Sequence, residues 1–302
     1  MYDLVVFGNP AYCIDPFASN GPNERLDSGA LYAAITGARL NLNHVAIIGN
    51  ASTDRRPFFQ ESLEQYDLEL FFSESQDTTG FQIGMGENEE RELKVLGLAD
   101  DIRIRNIPED YLQSEVILLA PVLREIHNEL VEWLSGSTDA KIFLDPRFRL
   151  VTDEGRVRLL GNHAVAEGAL EFVDYIKPNK NESFIMTGEN DPYLAAEMLV
   201  ESGAPVAIVT LGIEGSIVYD GEDYIIIPAF QTEVVDTLGA GDVYMAGFIS
   251  EMIRGKSLEG CGAFGSALAS MKIESSDGIS FKLYEKEVRR RQAEVLEESV
   301  HR

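Results

Sequence analysis

Residues 236–248 read Asp-Thr-Leu-Gly-Ala-Gly-Asp-Val-Tyr-Met-Ala-Gly-Phe, and this stretch says most about the fold and chemistry of the chain. Gly239, Ala240 and Gly241 leave the main chain accessible, so that successive N–H groups can point at one anion. A helix predicted to begin near Asp242 adds the positive end of its dipole. The stretch therefore predicts a phosphate site, with a carboxylate placed where a substrate hydroxyl can meet the phosphate.

A simpler interpretation of the same four residues, 239–242, is a loop that ends in a helix N-cap, since Asp caps helices well and glycines are common in turns. The pattern continues on both sides, however. Asp236-Thr237 precedes the turn, and the small apolar run 245–249 follows it. Because that run lets the helix pack closely on a sheet, the extended pattern favours the phosphate site.

Apolar runs alternate with helical patterns along the chain and predict an α/β fold. The helical segment 30–40 lies between the strand-like runs 4–7 and 44–49. This rhythm is typical of a mostly parallel, three-layer sheet with helices on both faces, which binds ligands at its carboxyl edge. No internal repeat or second boundary is visible, so we predict a single domain over residues 1–302. Later strand-like runs, each ending in a polar or turn residue, are 116–121, 141–147, 175–179 and 206–212.

Residues 70–100 interrupt the rhythm with the pattern of a β-hairpin. Apolar residues alternate in 81–85 and 92–96, and these segments flank the polar residues 86–90. Such a hairpin on an α/β core is either decoration or a lid that excludes water from a cleft. An exposed lid strand also offers an edge through which two copies can pair, so a homodimer is a candidate assembly.

Composition narrows the function classes. The chain has 302 residues, of which 45% are hydrophobic and 25% charged, as in globular proteins. The net charge of −26 argues against a nucleic-acid partner. No apolar run approaches the roughly 20 residues that span a bilayer, and no basic leader opens the sequence, so we expect a cytoplasmic protein without a membrane partner. The acidic balance reflects either high-salt adaptation or simply an acidic protein, and the sequence leaves both open.

Two further motifs follow predicted strands. Asn179 and Glu182 have the spacing of a helix-capping pair, but both can also face one ligand. Thr210, Gly212 and Gly215 lie in a glycine-rich strand end, where backbone can approach a nucleotide closely, although a hairpin turn explains the glycines as well. No Gly-x-Gly-x-x-Gly follows the first strand and no Gly-x4-Gly-Lys-Ser/Thr occurs, which argues against nicotinamide oxidoreductases and P-loop enzymes.

The order of these motifs resembles the ribokinase-like (PfkB) family of sugar and nucleoside kinases. The resemblance implies an ATP-dependent phosphotransferase in which the Gly-Ala-Gly turn is the anion hole and Asp242 deprotonates the acceptor hydroxyl. It further implies that Asn179 and Glu182 organise water around Mg²⁺. Thr210 and Gly212 would then lie along the ATP site.

The same resemblance adds expectations around the cleft. Residues 11–28 would form a lid together with the hairpin. Gly278 would lie near the adenine, and Asp236, with carbonyls from the Gly278 loop, would hold a monovalent cation such as K⁺, as in some relatives. Arg147, in a reduced form of the family's Asp-x-Asn-x-Arg pattern, would offset charge on the transferred phosphoryl group, although a structural ion pair with Asp145 explains it too.

The N-terminal half departs from the family's commoner pattern. Cys13 stands where relatives usually have an Asp, with Asp15 two residues later, and Ser28-Gly29 replaces a Gly-Gly pair. Asp15, Ser28, Gly29 and Arg147 are therefore the candidate acceptor-binding residues. The opening strand end resembles archaeal and bacterial members, some of them similar to inositol kinases. The departures also keep open a non-catalytic ligand sensor built on the kinase scaffold.

Overall fold

The computed structural model describes residues 1–17, 23–85, 91–147, 149–152, 154–159 and 168–302. Strands and helices alternate through most of this range. The strands are β1 (Tyr2–Phe7), β2 (Ala11–Asp15), β3 (Asn23–Leu26), β4 (Val45–Ala51), β5 (Leu68–Glu74), β6 (Thr79–Met85), β7 (Arg91–Gly97), β8 (Ser114–Leu119), β9 (Lys141–Leu144), β10 (Arg149–Val151), β11 (Val157–Leu159), β12 (Tyr175–Ile176), β13 (Val206–Thr210), β14 (Ser216–Tyr219), β15 (Tyr224–Ile227) and β16 (Val300–His301). The helices are α1 (Gly29–Arg39), α2 (Arg56–Leu63), α3 (Asn128–Ser137), α4 (Lys180–Thr187), α5 (Pro192–Glu201), α6 (Ala240–Ile253), α7 (Leu258–Ile273) and α8 (Glu285–Glu298).

The main sheet has ten strands in the order β16-β15-β14-β13-β12-β9-β8-β1-β4-β5. From β13 to β5 every neighbouring pair is parallel, whereas β14, β15 and β16 are antiparallel additions at the other end. From β1 in the middle of the sheet, later strands are added on both sides, β4 and β5 on one side and β8, β9, β12 and β13 on the other. The carboxyl ends of the parallel strands lie at the same edge of the sheet. That edge is where open α/β sheets bind ligands.

Strand β1 shows why the sheet is covered on both faces. Leu4 and Val6 belong to one hydrophobic core, while Val5 and Phe7 belong to a second core on the opposite face. All four side chains are fully buried. Helices α1, α2, α6 and α7 cover the first face and helices α3 and α5 the second. The predicted mostly parallel sheet with helices on both faces is confirmed.

Small residues bring α6 and α7 close together behind the carboxyl edge. A Cβ built on Gly247 of α6 would lie 3.1 Å from the Cα of Gly265 in α7. A larger side chain at either position would push the helices apart, because real Cβ atoms rarely approach backbone that closely. The small residues therefore allow α6 and α7 to pack closely at this point.

A separate four-stranded sheet has the order β3-β2-β6-β7. Strand β2 pairs with β6 in parallel, and β6 and β7 form the antiparallel hairpin predicted from the alternating pattern. Residues up to Glu74 of the predicted 70–100 segment belong instead to β5 of the main sheet, so the hairpin begins at Thr79. The hairpin tip at 86–90 and residues 18–22 of the 11–28 segment lie outside the described residues.

None of the helices in the described ranges combines the length and apolar character required to cross a bilayer.

Candidate active site

The turn before α6 has the backbone that its glycines require. Gly239 is the N-cap of α6 and has a left-handed conformation with φ of 78°. A Cβ built on it would lie 2.5 Å from the ring of Tyr32. Glycine is favoured here for two reasons, because side chains rarely adopt this φ and because the ring leaves no space. The helix start predicted near Asp242 is placed at Ala240.

The N–H groups of the turn are not all equally available to a ligand. The N–H of Ala240 donates to the carbonyl of Thr237 at 3.2 Å. Gly241 and Asp242 lie in the first turn of α6, where a helix has no acceptor of its own for the backbone N–H groups. The donors best placed for an anion are therefore those of Gly241 and Asp242, at the positive end of the helix dipole.

Asp242 is buried at the start of α6, with 5% of its surface exposed. Its Oδ1 accepts a hydrogen bond from Nη2 of Arg147. Burial opposes the charged form of Arg147, but the nearby carboxylates of Asp242 and Asp145 outweigh it, so the pKa of Arg147 is raised. Arg147 is therefore a permanent positive charge beside the candidate base.

Asp145 has a different partner from the one the sequence suggested. Nζ of Lys177, just after β12, lies 3.0 Å from Oδ1 of Asp145. Both side chains are buried, and burial raises the pKa of Asp145 even though Lys177 and Arg147 act in the opposite direction. A Cβ built on Gly241 would lie 3.5 Å from Nζ of Lys177. Lys177, which the sequence analysis did not select, thus brings a second positive charge to the anion turn.

Asn179 and Glu182 form a complete capping box at the start of α4. Oδ1 of Asn179 accepts from the N–H of Glu182 at 2.9 Å, and Oε2 of Glu182 accepts from the N–H of Asn179 at 2.9 Å. The simple capping interpretation therefore holds. Both residues also line the main cleft, so capping and facing a ligand are compatible here.

The main cleft has a cavity volume of about 510 Å³ at the carboxyl edge of the sheet. The turn after β13 forms one wall: Gly212 has a φ of 64° and Gly215 a φ of 95°. This turn joins the antiparallel strands β13 and β14, so the hairpin interpretation is correct. Predicted site residues that share this cleft are Arg147, Asn179, Glu182, Thr210, Gly212, Gly215, Gly239, Ala240, Gly241 and Asp242.

A second, smaller cavity of about 40 Å³ adjoins the cleft. Ser28 and Gly29 line it, and Ser28 also caps α1 by accepting from the N–H of Leu31 at 3.1 Å. A Cβ built on Gly29 would lie 2.5 Å from Oδ1 of Asp242. Arg147 and Asp242 line both cavities, together with Leu238 and Gly239. Asp242 therefore lies between two adjoining spaces, the arrangement that a transfer between two substrates needs.

Asp15 and Gly278 lie outside the lining of either cavity. Oδ1 of Asp15 accepts from the N–H of Phe17 at 2.9 Å, in a turn at the end of β2. Asp27 lines the smaller cavity instead. In the sequence, Asp27 could have been selected from its position directly before Ser28-Gly29. Gly278 is buried, and a Cβ built on it would lie 3.5 Å from the hydroxyl of Tyr32.

Asp236 meets a protein cation. Nζ of Lys272 lies 3.4 Å from Oδ2 of Asp236 and 3.3 Å from its carbonyl oxygen. Lys272 is fully buried in the last turn of α7. The ammonium group thus contacts two oxygens of Asp236, the side-chain residue of the predicted monovalent-cation site.

The carboxylates at the cleft determine which kind of metal site is possible there. No cluster of three or more His, Cys, Asp or Glu side chains that could hold a metal ion occurs in the part of the chain that the structure describes. Mg²⁺ usually keeps several waters and relies on one or two carboxylates plus substrate phosphates. Glu182, which lines the cleft, fits a magnesium ion bound in that way through water.

Known proteins resemble this chain in sequence and in fold. The chain is 28% identical over 269 residues to the cytidine kinase of Thermococcus kodakarensis, covering 86% of this chain and 92% of that one. Two solved structures share the fold at 19% identity. One is a pyrophosphate-dependent kinase in the ribokinase family, complexed with a pyrophosphate analog and myo-inositol, with a TM-score of 0.78 over 97% of this chain and 99% of that one. The other is Arabidopsis thaliana ribokinase complexed with ribose and ATP, with a TM-score of 0.76 over 96% and 98%.

The family assignment rests on a match that spans most of the chain. Residues 37–283 match the model of the pfkB family carbohydrate kinases. The matched range includes the turn at Gly239, the candidate base Asp242 and the capping box at Asn179. It begins after 27–29, the segment that lines the smaller cavity. The chain belongs to the pfkB family of carbohydrate kinases.

Proposed function

We propose that this protein is an ATP- and Mg²⁺-dependent kinase that phosphorylates a hydroxyl group of a small carbohydrate-like acceptor. The observation that carries the proposal is the position of Asp242, which lines both the large cleft and the smaller cavity. A phosphate donor in the cleft and an acceptor in the cavity would meet at this carboxylate. The kinases among its relatives give the same reaction class.

In the proposed reaction, Asp242 accepts the proton of the acceptor hydroxyl while the hydroxyl oxygen forms a bond to the γ-phosphorus of ATP. The bond from that phosphorus to the bridging oxygen breaks, and ADP leaves. The N–H groups of Gly241 and Asp242 hold the phosphoryl oxygens as the transfer proceeds. Positioning and electrostatic stabilisation supply most of the catalysis in this class of reaction.

Positive side chains surround the proposed transfer position. Arg147 reaches Asp242 from beyond the end of β9, and Lys177 lies beside Gly241. Asn179 and Glu182 would hold Mg²⁺ through water, and the bound ion would offset the charge of the phosphates. Arg147 was expected from the sequence to offset charge on the phosphoryl group, whereas Lys177 was not.

The donor side of the cleft suits a nucleotide. Thr210, Gly212 and Gly215 lie along one wall, and the apolar side chains of Ile213 and Phe230 also line the cleft. Apolar walls of this kind fit a nucleobase better than they fit pyrophosphate alone. We therefore place ATP there, with pyrophosphate as the donor to test against it.

The acceptor side is small and polar. We assign the acceptor to the cavity lined by Asp27, Ser28 and Gly29, and not to Asp15, which lies outside it. Strand β3 ends next to Asp27, so we further propose that the small sheet acts as a lid over the acceptor.

A product-detecting phosphorylation screen tests the proposal. Purified protein is incubated with sugars, cyclitols or nucleosides and Mg²⁺, with either ATP or pyrophosphate as donor, in low and high potassium salt. We expect a phosphorylated product from one acceptor class with ATP. Binding of ATP and an acceptor without any product would favour the alternative of a ligand sensor. The intact Asp242 and anion turn speak against that alternative, since a sensor has no need of a base.

A further inference from the structure

Lys272 holds the beginning of the anion turn from inside the protein. The turn runs from Asp236 to Asp242, and Nζ of Lys272 lies 3.3 Å from the carbonyl oxygen and 3.4 Å from Oδ2 of Asp236. The lysine side chain has no solvent exposure, whereas that of Asp236 is 28% exposed. A buried ammonium group needs such partners, because burial without them is costly.

The oxygens that a monovalent cation would use here already have protein donors. Oδ1 of Asp236 accepts from the N–H of Leu238 at 3.0 Å, and Lys272 uses the other two oxygens. In the Gly278 loop, the carbonyl of Asp277 accepts from the N–H of Ser280 at 3.1 Å, and the carbonyl of Ile279 accepts from Nη1 of Arg39 at 3.3 Å. The predicted K⁺ site therefore does not fit the residues present.

The charges around Lys272 also argue against a bound monovalent cation. Burial lowers the pKa of Lys272, while the carboxylates of Asp236 and Asp277 raise it and Arg25 lowers it. Two cationic side chains thus already act at this place together with two carboxylates. These charges balance, so no excess negative charge is left to attract a further cation, and the ammonium group of Lys272, in contact with Asp236, would repel one directly.

We propose that the ammonium group of Lys272 replaces a bound monovalent cation, so that the phosphate site of this kinase is formed without K⁺. Lys272 is then a positioning residue, which acts through Asp236 on the turn that carries Gly239 and Asp242. The inference concerns the proposed kinase site and rests on that assignment. Its tests include the stability of the unliganded protein, which does not depend on the enzyme's activity.

The first test uses the unchanged protein at constant ionic strength in the chlorides of potassium, sodium or tetramethylammonium. Because the net charge is −26, any salt will change stability by screening, and equal ionic strength removes that effect from the comparison. We expect the same Tm and the same Kd for ATP in all three salts. A Kd at least about threefold tighter in K⁺ alone, or a Tm raised by K⁺ alone, would overturn the proposal.

The second test removes the ammonium group. Lys272→Ala is expected to lower the Tm and weaken ATP binding about tenfold or more in tetramethylammonium, with partial recovery in K⁺ or ammonium chloride. Lys256→Ala, at an exposed site before α7, is the matched control and should show neither effect. A folded Lys272→Ala protein with unchanged Tm and ATP affinity in tetramethylammonium would contradict the inference.

The two tests separate this inference from the proposed function. If the protein does not bind ATP in any salt, the kinase assignment fails, while the Tm comparison still reports on Lys272. If Lys272→Ala does not fold, the comparison of salts with the unchanged protein decides alone.

Discussion

Arg147 donates a hydrogen bond to the carboxylate of Asp242, and both residues line both cavities. The two residues are 95 positions apart in sequence. Arg147 follows β9 and Asp242 lies in the first turn of α6, so the contact joins the edge of the sheet to the helix above it. In the proposed reaction the guanidinium group lies beside both the base and the transferred phosphoryl group.

Asp242→Asn should remove phosphoryl transfer and keep the fold. The amide cannot accept the proton of the acceptor, but its oxygen can still accept from Arg147. We expect kcat to fall by roughly 10²–10⁴, the usual contribution of a general base. Product formation and Tm are measured together, with Asp223→Asn, at an exposed turn, as control. Full activity of the Asp242→Asn variant on the identified acceptor would show that the carboxylate is not the base.

Arg147→Met should separate a role in phosphoryl transfer from that of a structural ion pair. If Arg147 stabilises charge on the phosphoryl group, kcat should drop by roughly 10²-fold, as when one donor to a developing oxyanion is lost. Arg105→Met, at an exposed site, serves as control. Steady-state kinetics and Tm distinguish the roles, because a purely structural arginine would change the Tm and leave kcat intact.

Gly29→Ala should disturb the base directly. The new Cβ would lie 2.5 Å from Oδ1 of Asp242 and 2.9 Å from Nη2 of Arg147, so at least one of them must shift. We expect kcat to fall about tenfold or more, since small displacements of catalytic groups are costly. Gly136→Ala near the end of α3, where a Cβ meets nothing within 4 Å, should leave kcat unchanged and stabilise the protein by about 0.4–1 kcal/mol. Equal kinetics for the two variants would contradict the close approach.

Gly239→Ala should cost more stability than its backbone strain alone. Gly188, the C-cap of α4, has a φ of 75° with nothing within 4 Å of a built Cβ, so Gly188→Ala measures the strain, about 1–2 kcal/mol. At Gly239 the φ is similar, but the Cβ would also meet the ring of Tyr32. Chemical denaturation gives both free energies of unfolding. The same loss in both variants would show that the ring moves away freely.

Both cysteines should be unreactive in the folded protein. Burial raises the pKa of Cys13 and of Cys261 to about 12, so at pH 8 only about one thiol in 10⁴ is ionised. The thiolate is the reactive form. We expect a disulfide reagent to modify both cysteines at least about 100-fold faster in denaturant than in buffer. Rapid modification of either one in the native protein would be inconsistent with this burial.

Local sequence was sufficient for the elements that depend on near neighbours. The turn at Gly239, the helix that follows it and the capping box of Asn179 and Glu182 occur as predicted, because φ preferences and capping hydrogen bonds involve residues within a few positions of each other. The parallel sheet followed from apolar runs separated by helical patterns. The turn at Gly212 was likewise found from its glycines and from its place at a strand end.

Residues that meet across the fold could not be paired in this way. The sequence offered an ion pair with Asp145 as the alternative to a phosphoryl-binding role for Arg147, but Asp145 pairs with Lys177 and Arg147 with Asp242. It suggested Asp15 for the acceptor, but Asp15 lies at the far end of β2, outside the cavity that Asp27 lines. The position of Asp15 depends on the direction of β2. That direction is set by pairing with β6, which lies more than 60 positions later in the chain.

The sequence alone determined that this chain has an anion turn at the start of a helix, a carboxylate within it and a parallel sheet to carry it. These features are set by backbone preferences and by the burial of periodic apolar residues, both of which are local. Only the tertiary structure decided which charges meet: Arg147 with Asp242, and Lys272 with Asp236. Such contacts depend on how distant segments of the chain pack. A charged side chain has several possible partners of opposite charge in the sequence, and only the packing of the sheet and helices decides which of them lies within reach.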